Sequence, residues 1–568
     1  MRIKDSSENF DMDSLVSSDN EVSHGPPEEI PEDSTGAASS SLTRFNSAIL
    51  PNGLPYTMLT SFERHIISIN LSLMGLCCSI SISIYWVALT EIENAFHITE
   101  EQVNLTITAY LVFQAVSPVF VSNMSDHYGR RPILLVCLLG GTCANVGLAL
   151  CDTYWLLMLM RCTLGIFLSP IISVSSSVIG DYTTRRDRGG VSGIVGGFTL
   201  VGQGFAPFLG SLFDTRWGFR AIFWFAAAYS GTVFFITLLL FPETQRSIVG
   251  NMSHRPESWI HWSPPLLHFG KRLNDFESST VEPSLGLKYN PLEPLLLAKE
   301  PEVFFVLLPC GIFYSLWTMS QASLTTNLAK EYHYTSLKIG LSFFAPGMAT
   351  IIGTVSSGKI LDIMYRREKA KYVKKWGTDV ADKNVQKEGS DRENGGDEEE
   401  SIPGDNTSST PASSDSSPRP IQPPLNILKA RMSLFGIFIC LLVVFTLVYA
   451  WCSQEHTSVA PILVGSFFLT IGSMYPLGTV MTLMVDLHPH ISAAATSMNN
   501  LFRCGLAAIF VSCLTKMNTA MTLGGTYSLM VGLSCVGGVV LYIVIWKSPE
   551  LMAKKVAREA LLEQEKNS

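Results

Sequence analysis

Charge is scarce in this sequence: 15% of its 568 residues are Asp, Glu, Lys or Arg, against 47% hydrophobic. A water-soluble chain carries about a quarter charged residues, so this composition points to a membrane instead. The formal charge of -8 does not restore a soluble reading, because the acids gather in the N-terminal tail and between Glu388 and Asp415. No basic n-region precedes a short apolar run; about sixty polar residues come first, and no cleaved signal is expected. A phosphate-binding loop, a metal cluster and a nucleophile elbow are also missing. Neither enzyme chemistry nor ATP-driven pumping is therefore expected, nor any cofactor, metal or nucleic-acid partner. Cysteine is present, but Cys77, Cys78, Cys137, Cys162, Cys310, Cys440, Cys504, Cys513 and Cys535 all lie in apolar runs. They read as small packing residues, not as a disulfide framework.

What the chain has in abundance is apolar runs of membrane length. A hydrocarbon core of about 30 Å needs roughly 20 residues of helix, because every backbone polar group must be satisfied internally. Twelve runs qualify, at 66–89, 103–122, 133–150, 155–179, 191–213, 221–241, 303–324, 338–361, 434–451, 459–485, 493–515 and 526–546. Lys and Arg in short loops set the orientation. Arg130-Arg131 follow span two, Arg185-Arg186 and Arg188 follow span four, and Arg366-Arg367 with Lys369, Lys371, Lys374 and Lys375 follow span eight. Those loops are expected in the cytosol, with both termini. The first opposite loop, Glu91 to Gln102, has four Glu and no Lys or Arg. Arg216 and Arg220, between spans five and six, dissent.

The expected organisation is a disordered cytosolic tail (1–62), a six-helix bundle (63–244), a cytosolic central loop (245–302), spans seven and eight (303–367), a low-complexity cytosolic insertion (368–430), spans nine to twelve (431–546) and a cytosolic C-terminal tail (547–568). The insertion runs from Lys-rich through acidic to Ser/Pro-rich and cannot bury a core.

One motif occurs twice. Ser122-Asn-Met-Ser-Asp126-His-Tyr-Gly129-Arg130-Arg131 follows span two, and Gly358-Lys-Ile-Leu-Asp362-Ile-Met-Tyr-Arg366-Arg367 follows span eight. Internal repeats in corresponding halves are a signature of transporter folds. Spans four and ten end in Asp181 and Asp486, each expected to meet the arginines of its own half in charge-assisted pairs. Asp126 and Asp362 are expected near the N-termini of spans eleven and five, where helix dipoles favour negative charge. Together the four acids would latch the two halves on the cytosolic side.

These motifs resemble the loop motif of the major facilitator superfamily, over roughly Glu63 to Lys547. In span five, Gly193, Gly196, Gly197, Gly202, Gly204, Ala206-Pro207 and Gly210 resemble the Gly-Pro motif of that superfamily's antiporters; small residues let helices approach and Pro permits a bend. Gly180-Asp-Tyr-Thr-Thr-Arg185-Arg-Asp-Arg188-Gly-Gly190, Arg216-Trp-Gly-Phe-Arg220, Pro242-Glu-Thr-Gln-Arg246 and Asn500-Leu-Phe-Arg503-Cys504 are similar to the fungal drug:proton antiporters of the quinidine-resistance group, whose relatives include a dityrosine exporter. The resemblance implies an all-α membrane protein with two pseudo-symmetric six-helix bundles, exporting drugs, organic acids or cations in exchange for protons. Ser122, His127, Leu164 and Ala206 depart from the family pattern and leave coupling and rate open.

Arg161 in span four and Arg503 in span eleven stand inside apolar runs, where a charge costs at least about 2.5 kcal/mol and so marks a functional candidate. Arg161 matches the span-four arginine that the resemblance ties to proton coupling or substrate contact. No run has Asp or Glu near its middle. Arg does not deprotonate, so the proton carrier is left open among Glu91, a loop acid, His127 and substrate competition for Arg161. Cavity contacts are expected from Tyr110 and Gln114 in span two, Tyr314, Trp317 and Gln321 in span seven, Phe343 and Phe344 in span eight, Tyr475 in span ten, and Asn499 and Asn500 in span eleven. Such a set suits aromatic or amphipathic solutes. The expected protein is a monomer in the plasma membrane, with the vacuolar or prospore membrane as alternatives. Its partners are a small-molecule substrate, protons and lipid. Nutrient uptake and a non-transporting receptor are the competing functions.

Overall fold

The computed structural model describes residues 56–57, 59–252, 261, 301–376, 431–432, 434–487 and 492–567. Most of the N-terminal tail, of the central loop and of the insertion lies outside these residues. So do the side chains of Asp362 and Asp486, and with them the second half of the expected latch.

Eleven helices among the described residues are long and apolar enough to cross a membrane. Span one is Ser61–Ser83, continued by the tight turn Ile84–Trp86. Spans two to six are Glu100–Tyr128, Arg130–Ala149, Tyr154–Tyr182, Arg185–Trp217 and Phe219–Leu240. Span seven is Pro301–Lys330, and span eight is a short helix Ser336–Ser342 followed by Phe344–Trp376. Spans nine and ten are Phe435–Gln454 and Val459–Leu487. The eleventh helix, Ser492–Asn567, holds two spans, because Thr522 at its middle is non-helical (φ 63°). The Gln454 side chain holds that break, accepting from Thr522 Oγ1 and Gly524 N–H, each at 2.8 Å. Twelve spans are thus built from eleven apolar helices.

Several span ends differ from hydropathy because polar caps, not apolar content, set them. Span one starts at Ser61, where Thr60 and Glu63 form a reciprocal capping box, and span two starts at Glu100 through the same device from Thr99 and Gln102. Gly129 (φ 97°) and Gly218 (φ 79°) make one-residue turns between spans two and three and between five and six, a conformation glycine adopts without steric cost.

Helix pairs repeat with a shift of six. Span one packs on five, two on four and three on six; span seven packs on eleven, eight on ten and nine on twelve. Across the boundary span two meets eleven and span five meets eight. Two pseudo-symmetric six-helix bundles result. Trp155, Trp217 and Trp546 are exposed near span ends, where amphipathic rings suit the membrane interface. Cys440, Cys513 and Cys535 also lie on the outside of the bundles, so unlike Cys77, Cys78, Cys137, Cys310 and Cys504 they fill no core position.

The duplicated motif does not produce duplicated structure. The position of Gly129 is taken in the second copy by Tyr365, which has no access to a cheap positive φ. The chain therefore turns after Tyr128 but continues as helix through Arg366 and Arg367 to Trp376, leaving those two arginines exposed.

Candidate functional site

Three layers run along the molecule: the end that carries Arg130, the middle, and the far end that carries Glu91.

At the motif end Arg130 is buried. It donates Nε to Asp181 Oδ2 at 3.1 Å and Nη1 to Ser125 Oγ at 2.8 Å, and pairs with Asp126 one turn before it. Asp126 thus engages the arginine of its own half. Arg131 donates Nη2 to Leu238 O at 2.9 Å. The Pro242-Glu-Thr-Gln-Arg246 stretch stitches these groups together. Glu243, 4% exposed, accepts the N–H of Arg130 (2.8 Å), Thr244 (2.9 Å) and Gln245 (3.0 Å) on Oε1, and that of Arg131 (3.2 Å) on Oε2. It therefore caps the positive end of span three. His261 Nδ1 lies 3.2 Å from Oε2. Burial pushes the Glu243 carboxyl up, but the His261 hydrogen bond and the N–H groups of Gln245, Arg130 and Thr244 outweigh it and hold it below the usual carboxylate value. Gln245 Nε2 donates to Asp126 O (2.9 Å), and Arg246 Nη2 to Asp181 O (2.9 Å) with its guanidinium over the Tyr56 ring. A Cβ on Gly129 would meet both Glu243 and His261, so only glycine fits there. His127 is exposed, edge-on to Tyr128. The sequence reading missed Glu243 and its neighbours as site residues, although it singled out the stretch that holds them.

In the middle, Arg161 is 2% exposed. Its guanidinium lies 3.6 Å from the Tyr85 ring centroid and 4.9 Å from that of Tyr110. Nε and Nη1 have no hydrogen-bond acceptor. Arg503 repeats the arrangement in the other half, 4.5 Å from the Tyr314 ring, with Nη2 3.5 Å from Asn500 Oδ1 and Nε unpartnered. Asn500 Nδ2 donates to Gln114 O at 2.8 Å, joining spans eleven and two. Tyr110 neighbours Tyr314 and Cys504 across the same boundary. Two arginines are thus held by aromatic faces rather than by carboxylates. Tyr85 escaped the sequence reading, since a tyrosine at a span end carries no signal of an arginine beside it.

Beside them lies a narrow pocket lined by Trp317, Gln321 and Phe343 from one half and by Ser83, Trp86, Gln203 and Pro207 from the other. Phe344 packs against Phe205 and Phe208. Two other candidates sit elsewhere: Tyr475 stacks on Phe438 at 3.9 Å and Asn499 faces Cys310 and Met481, all within the second half. Stacking on Phe438 holds the Tyr475 ring inside its own bundle although its buried hydroxyl has no partner, and Cys310 and Met481 engage the Asn499 amide there. The glycine stripe divides its work. A Cβ on Gly202 would strike Leu76 and one on Gly210 would strike Ile84, so these glycines seat span five on span one. Gly204 touches the backbone of Gly347, 2.8 Å from where its own Cβ would stand, and brings span five onto span eight. Toward the motif end, Gly189, Gly190, Gly193, Gly196 and Gly197 face open space.

The far end is bridged between the halves. Lys330 Nζ pairs with Glu93 (3.0 Å) and Glu100 (2.9 Å), Lys516 with Glu101 (2.9 Å), and Asn104 Nδ2 donates to Thr515 Oγ1 (2.9 Å). Ser336 Oγ lies 3.4 Å from Glu91 Oε1. The four Glu of the first loop were the sequence signal for this layer, but their lysine partners stand more than two hundred residues away.

The model of the Major Facilitator Superfamily matches residues 71–373. The chain is 34% identical over 516 residues to the multidrug transporter QDR2 of Candida glabrata, covering 90% of this chain and 85% of that one. It is 32% identical over 508 residues to the quinidine resistance protein 1 of Saccharomyces cerevisiae (89% and 86%), and 28% identical over 478 residues to the citrate exporter 1 of Aspergillus niger (83% of each). Twelve spans in two repeated bundles, an arginine motif tied to a buried acid, and this similarity along nearly the whole chain agree: the protein belongs to the major facilitator superfamily, in its quinidine-resistance group of fungal multidrug transporters.

Proposed function

We propose that this transporter exports small organic solutes, aromatic or carboxylate-bearing, in exchange for protons, by alternating access around the layer of Arg161 and Arg503. The observation that carries the reading is the burial of Arg161 between two tyrosine rings with two guanidinium N–H groups unpartnered. A buried cation without a counter-ion is strongly disfavoured, and a solute carboxylate would supply one, while the rings and Trp317 offer stacking faces. One relative is named a multidrug transporter and another a citrate exporter, and citrate bears the carboxylates this reading requires.

Positive-inside charge puts the Arg130 end and both termini in the cytosol. On that assignment the bridged Lys330 end is external, and the open space beside Gly189, Gly190, Gly193, Gly196 and Gly197 lies on the cytosolic side, where a solute would enter. Asp126, Asp181, Arg130 and Glu243 would then hold span three, the ends of spans two and four, and the segment after span six as one rigid unit during rocking. The plasma membrane and a monomeric state fit a pump that empties the cytosol.

The test is efflux from cells with and without the protein, profiled across carboxylates, neutral aromatics and organic cations, with Arg161→Ala and Arg161→Lys. Export of carboxylates that falls at least tenfold in Arg161→Ala supports the reading. Unchanged export in that variant, or accumulation instead of loss of solute, refutes it.

A further inference from the structure

The absence of a mid-membrane carboxylate leaves proton binding without an obvious group, and the far end of span five supplies one that hydropathy cut off. Helix continues past 213 to Trp217 and so includes Asp214. Asp214 is 6% exposed, and its Oδ1 has no hydrogen-bond partner.

Its position follows from the tightest approach between spans five and eight at this end. A Cβ on Gly340 would run into Ser211 and stand 3.3 Å from Pro207 O. One turn further along each helix, this contact brings Ser336 of the second half to Asp214 of the first. The Ser336 hydroxyl stands between Asp214 and Glu91. A hydroxyl has one hydrogen to give, and here two carboxylates compete for it: Ser336 lies within hydrogen-bond reach of Asp214 and 3.4 Å from Glu91 Oε1. Asp214 is thus buried at a closing interface beside a like charge, with one oxygen lacking any donor.

Other charges nearby are engaged elsewhere. Glu93 on the first-loop helix pairs with Lys330, Lys338 on the facing helix lies over the Tyr334 ring, and Arg220 of span six pairs with Asp152. Arg216, two residues on, is exposed. Glu91 is the charge that acts on Asp214.

We propose that Asp214 is a proton-binding site that must be filled for this end of the transporter to close: its carboxyl is neutral in the closed form and ionised once the end opens to water. A buried carboxylate with no cation, one oxygen unpartnered and its hydroxyl donor contested by a second acid is costly, and taking a proton from the adjoining water removes that cost. Protons on that side then favour the form open toward Arg130; because the carboxyl returns its proton to the same side when the end reopens, Asp214 gates this end and does not itself carry the proton across. The inference rests on the alternating-access reading but not on any solute.

The experiment follows a distance in the full chain in nanodiscs without substrate. Fluorescent unnatural amino acids replace Asn94 and His333, since twelve free cysteines would compete for thiol labels. The wild type should close as pH falls. Asp214→Asn should stay closed at every pH, and Glu91→Gln should move the midpoint down by roughly half a pH unit, about threefold in proton affinity, because a like charge is gone. A wild-type pH profile in Asp214→Asn, or a midpoint that rises in Glu91→Gln, overturns the proposal. The second variant keeps the test alive if the first does not fold. Because no solute is present, failure here leaves the export reading standing, and failure of the export assay leaves this result readable.

Discussion

Replacing Glu243 by Gln removes one charge and little volume, and the geometry says what that costs. The carboxylate satisfies four backbone N–H groups, those of Arg130, Thr244 and Gln245 on one oxygen and that of Arg131 on the other. An amide can leave its oxygen with the first three, but its NH₂ must then face the Arg131 N–H, donor against donor. One orphaned buried N–H costs about 1–3 kcal/mol. Loss of the negative charge at the start of span three costs up to about 2 kcal/mol more in a partly buried setting. The expected destabilisation is about 2–4 kcal/mol, and Glu243→Ala, which strands all four donors, should exceed it. Purified protein in detergent, heated while its intrinsic fluorescence is followed, should unfold several degrees lower, in the order wild type, Gln, Ala.

The same residue fixes a pH dependence. Its folded-state pKa lies below the ordinary value, so its contribution is fully present above about pH 4.3, the unfolded reference, and fades as pH falls through the lower folded value. The wild type should lose stability on this limb, and Glu243→Gln should lose less. Equal unfolding temperatures for wild type and Glu243→Gln at neutral pH would refute the capping argument.

Gly129→Ala should cost about 1–3 kcal/mol, from a positive φ and a Cβ against Glu243 and His261, read in the same thermal assay. Gly347→Val cannot keep the backbone contact with Gly204, so distance measurements should find the far end opened and efflux reduced. Lys330→Met strands Glu93 and Glu100 and should also shift the population away from the far-end-closed form, with folding intact because the three groups are partly exposed. Tyr85→Leu removes the nearer ring from Arg161; it should weaken solute export severalfold while Tyr85→Phe, which keeps the ring face, stays near wild type.

The sequence by itself determined the class and the count. Membrane spans are legible because lipid demands a long apolar helix whatever packs beside it, and the repeated Asp/Arg motif showed that the spans form two halves. It also brought Arg130 and Asp181, Arg161 and the span-five glycines to notice, since a charge inside an apolar run is costly and a stripe of glycines lets two helices touch. Tertiary structure alone decided the partners. That Arg161 rests on tyrosines, that Glu243 caps span three, that Lys330 reaches the first-loop acids and that Asp214 is covered by Ser336 all depend on contacts between residues distant in sequence. The second Asp/Arg copy makes the same point in reverse. It reads like the first, yet Tyr365 in place of Gly129 keeps the helix running, because the turn needs a positive φ that a tyrosine resists.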